Sequence, residues 1–183
     1  MKNRHTILIL VAAYFAVFFE TWFNGFRYLL GTQIDFLPGL MVYAGLNNSI
    51  FSIALTALWG GLWFDSLSAN PLGVSVLPLL LIGLLIHQGR EVLAREHPIA
   101  QFALGAAASA LQPLATLFIL LNIGALPIIG WKSIWQWLVM TIGGGLMTPV
   151  WFAFFTRIHG AFDYQPASES SFRPDRQIKR GRL

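Results

Sequence analysis

Leu62-Trp63-Phe64-Asp65-Ser66-Leu67-Ser68-Ala69-Asn70-Pro71-Leu72-Gly73 sets one carboxylate and a Ser/Asn/Pro/Gly turn between two strongly apolar segments. An ionised Asp at the centre of a membrane span costs roughly 2.5–3.5 kcal/mol on insertion scales, so such a residue belongs near an interface, in a cavity or against a partner. The motif is therefore expected at the end of a helix, with Asp65 within reach of water or of the turn's own backbone N–H groups.

Outward from this turn, composition decides the class. A chain of 183 residues that is 56% hydrophobic and 11% charged, with mean hydropathy +0.63, cannot be arranged as a soluble globule with a polar skin. An all-α polytopic membrane protein is expected. Each crossing of a ~30 Å hydrocarbon layer uses roughly 20 residues, so the length suits six short spans and leaves no soluble catalytic domain. The chain has no Cys, which removes disulfides, thiolate nucleophiles and Cys-ligated metal sites without reporting the compartment.

The apolar runs place the spans at about 6–23, 36–47, 50–64, 71–87, 99–123 and 134–156, giving a transmembrane domain over 1–158. Lys2, Arg4 and His5 precede the first run, but no small-x-small site follows it, so an uncleaved signal-anchor helix is expected. Pro38 sits near the start of the second span, where a helix tolerates proline. Pro78 inside the fourth span predicts a kink. Glu91 and Arg95, four apart between Gln88 and Pro98, suggest a short surface helix of solvated pairs. Residues 159–183 are polar and rich in Ser, Pro and Arg, too poor in apolar groups to fold alone, and are expected to form a disordered basic cytoplasmic tail.

Orientation follows from the twelve Lys and Arg. Under six spans, Lys2, Arg4, Arg90, Arg95, Arg157, Arg173, Arg176, Lys179, Arg180 and Arg182 fall on one side, and only Arg27 and Lys132 on the other. The positive-inside rule then puts both termini in the cytoplasm and the 24–35 loop, the 65–70 turn and the 126–132 loop outside. Trp22, Trp63, Trp131, Trp135 and Trp137 collect at that outer interface, where aromatic anchors gather.

The run of short spans, the Pro-initiated second helix and the stretch Gly61-Leu62-Trp63-Phe64-Asp65-Ser66-Leu67-Ser68-Ala69-Asn70-Pro71-Leu72-Gly73 resemble the bacterial rod shape-determining MreD family. Gly145-Leu146-Met147-Thr148-Pro149, with Arg157 after it, resembles that family's final span, and the likeness covers about residues 5 to 160. Ala69 replaces a glycine associated with the family's turn, and the tail beyond His159 is longer than the family's. The resemblance implies a non-enzymatic scaffold of the cell-elongation (rod) complex in the inner membrane, controlling cell shape and side-wall peptidoglycan synthesis. Its implied partners are the single-span MreC, the actin-like MreB, and the rod-system glycosyltransferase and transpeptidase. It also implies a bundle like the S component of energy-coupling-factor vitamin transporters, and such an S component is the alternative reading. Ala12 and Ala16 carry the small-x-x-x-small spacing that S components use against their coupling subunit.

Two readings stay open for each candidate residue. Asp65 either accepts hydrogen bonds from the turn that follows it or contacts a partner span or lumenal ligand. Ser68, Asn70, Pro71, Leu72 and Gly73 are either ordinary turn-to-helix chemistry or, on the resemblance, a partner-binding motif. Gly105 and Ser109 in span five, and Gly143, Gly144, Gly145 and Pro149 in span six, form small-residue faces that pack within the bundle or admit a partner helix such as that of MreC. Glu20 and Asp35 are expected at the headgroup level, with a Glu20–Arg27 pair open. Gln112 and Asn122 either line a cavity or bond between helices.

His87, His97 and His159 show no helical ligand spacing, and no H-E-x-x-H, P-loop, G-x-S-x-G or dinucleotide fingerprint occurs, so neither a metal site, a cofactor nor an enzyme is expected. Arg173, Arg176, Lys179, Arg180 and Arg182 suit anionic lipid at roughly 1 kcal/mol per basic residue, or contact with MreB. No basic module with interleaved aromatics points to nucleic acid. A vitamin site needs polar groups converging from several spans, and the sequence offers few beyond Asn24, Gln33, Asp65, Ser66 and Asn70. That polar poverty favours the scaffold.

Overall fold

The computed structural model describes residues 2–22, 25–93, 97–125 and 130–162. Among them are seven helices and no strand: α1 (Lys2–Trp22), α2 (Gly25–Leu30), α3 (Leu37–Asn47), α4 (Ile50–Leu67), α5 (Val76–Gly89), α6 (Pro98–Asn122) and α7 (Trp131–Phe162). Four apolar stretches are long enough to cross a membrane: His5–Trp22, Ile50–Leu67, Pro98–Asn122 and Trp131–Gly160. The exterior matches that make-up, with Phe15 60%, Phe51 73%, Leu85 61% and Phe118 69% exposed, an apolar skin that only lipid or another protein covers favourably. The expected second and fourth spans are the short helices α3 and α5.

The helices alternate in direction. At one end, Thr6 Oγ1 of α1 lies 2.7 Å from Ser52 Oγ of α4, the His5 and His159 rings are 4.5 Å apart, and His87 Nδ1 is 3.1 Å from the Gly45 carbonyl. At the other end, the Trp135 indole donates to the Leu30 carbonyl at 3.0 Å, joining α7 to α2. We call this second end the tryptophan-rich end, since Trp22, Trp63, Trp131, Trp135 and Trp137 belong to the helix turns that gather there. The core sits around α3, which is buried from Leu37 to Leu46. A helix apolar on every side suits such an enclosed place. Tyr43 stacks on Phe155 with centroids 4.2 Å apart.

Several expectations are corrected. The 24–35 interval holds the unforeseen α2. Asp65 lies at a helix end as expected, but the helix, α4, runs on to Leu67 and past the expected bound at Phe64. The next helix begins at Val76, not at Pro71, because 72–75 form turns. Pro78 consequently falls in the first turn of α5, where its missing N–H has no intrahelical partner to lose. The expected surface helix after Gln88 is a turn, closed by the N–H groups of Val92 and Leu93 on the Gly89 carbonyl; Arg95 lies outside the described residues. The last helix starts at Trp131 and reaches Phe162, longer at both ends than expected. Ala12 and Ala16 are buried inside the molecule, unavailable to a coupling subunit.

Candidate functional site

The α4–α5 hairpin is organised by one side chain. Asp65 Oδ2 accepts from the backbone N–H of Gly73 at 2.8 Å and of Ser75 at 3.1 Å. These are amides at the mouth of α5, where a carboxylate also meets the positive end of the helix dipole. Gly73 has φ +91°, a conformation that costs side-chain-bearing residues strain. Ser68 Oγ donates to the Asp65 carbonyl and accepts from Asn70 N–H at 3.3 Å. Asp65 is 2% exposed while Leu72 is 70% exposed. The acid thus lies under the turn, and Pro71 and Leu72 project from it.

A second cluster lies beside the hairpin. Val17, Glu20 and Thr21, spaced i, i+3, i+4 on α1, line a cavity of about 370 Å³ together with Arg27, Thr32, Gln33, Ser68, Asn70 and Gln136. Glu20 and Asp35 were expected among headgroups, yet they are 6% and 1% exposed. The reason is local: Asp35 sits at the entry to α3, where its Oδ1 accepts from Leu37 N–H at 2.9 Å and its Oδ2 from Gln112 Nε2 at 2.6 Å. Gln112 lies near the middle of α6, so this bond draws the carboxyl inward. The Glu20 carboxyl faces Phe36 N–H and the Asp35 carboxyl. Gln33 Nε2 donates to the Glu20 carbonyl. Oε2 of Glu20, Oγ1 of Thr32 and Oε1 of Gln112 are buried without a hydrogen-bond partner. Such orphaned groups are costly.

The polar poverty expected of this end therefore does not hold. Gln136 was missed, Glu20 and Asp35 were expected elsewhere, and Gln112 fills both roles left open for it, lining a cavity and bonding across to Asp35. Their signal was present as polar groups inside apolar runs, but only the fold shows that they converge. No Glu20–Arg27 ion pair forms among the described residues; both line the same cavity. Asn122 bonds its own helix at the Phe118 carbonyl.

The small-residue faces meet each other. A Cβ on Gly105 would run into Thr148, one on Gly144 into Ser109, one on Gly143 into Ile34 and one on Gly145 into Phe102. All four glycines are buried, so α6, α7 and, at Gly143, Ile34 from the segment before α3 occupy these faces. Pro149 lies within α7, where it removes the bond to the Gly145 carbonyl. Arg173, Arg176, Lys179, Arg180 and Arg182 lie outside the described residues. Among the described residues, no cluster of three His, Asp or Glu could hold a metal ion. No family model, no curated protein and no solved structure matches the chain.

Proposed function

We propose that this chain is a non-enzymatic inner-membrane scaffold of the bacterial cell-elongation complex, of the MreD type. In this reading α3 and α5 complete six crossings, both termini and the 90–97 loop face the cytosol, and the tryptophan-rich end faces the periplasm. The scaffold binds MreC and links it to MreB and to the wall glycosyltransferase and transpeptidase. One observation supports it above the rest: the stretch that carries the resemblance folds as a hairpin pinned by Asp65, with Leu72 70% exposed at its tip. A rigid turn with a projecting apolar side chain is a ready anchor for a partner. Ten of twelve basic residues on one side support the orientation.

The test is co-purification of the full chain from native membranes in mild detergent. Recovery of a periplasmic coiled-coil protein and wall synthases, reduced by Leu72→Arg, is the expected result. Loss of residues 160–183 is expected to reduce recovery of the actin-like partner; unchanged recovery would remove the tail from that contact. The second reading, a solute-binding S component, is favoured by the polar cavity at Glu20. Recovery of two ATPases with a coupling subunit, in place of the wall machinery, would put that reading first.

A further inference from the structure

The polar cavity does not end at Gln136. A second cavity of about 700 Å³ adjoins it, sharing Phe64, Asn70, Gln136 and Met140. This second space runs between α6 and α7 along Leu114, Leu117, Leu120 and Ile134, with Asp35 and Gln112 also in its wall. Leu114 and Ile134 are each 49% exposed, so the channel opens onto whatever surrounds the bundle. A polar chamber that adjoins a mostly apolar space opening at the bundle's surface has the shape of an amphiphile.

The charges say which kind. The Glu20 and Asp35 carboxyls meet backbone N–H groups, Gln112 and each other, and neither forms an ion pair among the described residues. Glu20 and Thr32 line the chamber, and Oε2 of Glu20 and Oγ1 of Thr32 are buried without partners. They are two acceptors with nothing to accept. A primary ammonium brings three N–H donors and the missing positive charge. Arg27 lines the same chamber and offers a guanidinium fork suited to a phosphate.

We propose that the two cavities together hold one phospholipid with a primary-amine headgroup. Its ammonium meets Glu20 and Thr32, its phosphate faces Arg27, one acyl chain follows the α6–α7 channel, and the second lies outside in the bilayer. This proposal does not depend on the scaffold reading, since it concerns what fills the bundle and not what binds its surface.

The test uses the full chain in non-ionic detergent, offered phosphatidylethanolamine, phosphatidylcholine and phosphatidylglycerol with identical acyl chains, with bound lipid measured by native mass spectrometry. A charge-assisted hydrogen bond from the headgroup predicts retention of the ethanolamine lipid about tenfold above the other two. Glu20→Gln is expected to erase that preference while leaving the protein monodisperse. Leu117→Trp, which fills the channel, is expected to lower retention of all three lipids. Free phosphoethanolamine is expected not to displace the bound lipid. Equal retention of the three lipids, an unchanged preference in Glu20→Gln, undiminished retention in Leu117→Trp, or displacement by the soluble headgroup would each overturn the proposal.

Discussion

Asp65 shows what a single buried carboxylate does when its neighbours are backbone amides. It ties Gly73 and Ser75 to the end of α4, and removing it leaves two N–H groups without partners in a buried place. Asp65→Ala is expected to cost about 2–4 kcal/mol, from two hydrogen bonds to a charged acceptor, read as a fall in the melting temperature of the detergent-solubilised protein. Asp65→Asn, which keeps one acceptor oxygen, is expected to lose less. Gly73→Val forces a β-branched residue to φ +91° and is expected to cost about 1–3 kcal/mol by the same measurement. The meeting of Asp65 with its turn was legible in the sequence, because both partners lie within ten residues of each other and turn chemistry is local. The bond between Asp35 and Gln112 was not, since it spans 77 residues and no local pattern encodes it. Gln112→Leu is expected to destabilise by about 1–3 kcal/mol, the cost of stripping a partner from a buried acceptor.

Among the elements, α6 and α7 share the most extensive contact in the molecule, because Gly105, Ser109, Gly144 and Thr148 let two backbones approach. Gly144→Leu drives a large side chain into Ser109, and overpacking of this kind costs about 1–3 kcal/mol or more. The expected outcome is loss of monodisperse protein on size-exclusion chromatography, while the same change at exposed Gly130, where a Cβ meets nothing, is tolerated. The long helices were legible as apolar runs ended by polar or Pro-containing breaks. The start of α5 was not, because the anchor that delays it is a side chain on the preceding helix. Helix α2 was hidden for a different reason: six residues are too few for periodicity to register, and its place is fixed by the Trp135 bond to Leu30.

For the whole molecule, composition reaches furthest. Four long apolar helices and an apolar exterior follow from the hydrophobic fraction and from little else. The chamber at the tryptophan-rich end was out of reach, because Glu20, Thr32, Ser68 and Gln136 come from four separate stretches and only packing brings them together. The proposed orientation, with the hairpin and the chamber away from the cytosol and the basic residues within it, rests instead on the distribution of Lys and Arg along the chain. The chain contains no Cys, so single cysteines can be introduced without background. The most direct measurement is labelling of Ala69→Cys and Val92→Cys, both at exposed positions, with a membrane-impermeant maleimide in intact and permeabilised spheroplasts. The account predicts that Ala69→Cys reacts in intact spheroplasts and Val92→Cys only after permeabilisation. The reverse pattern, or both positions reacting from the same side, would contradict it.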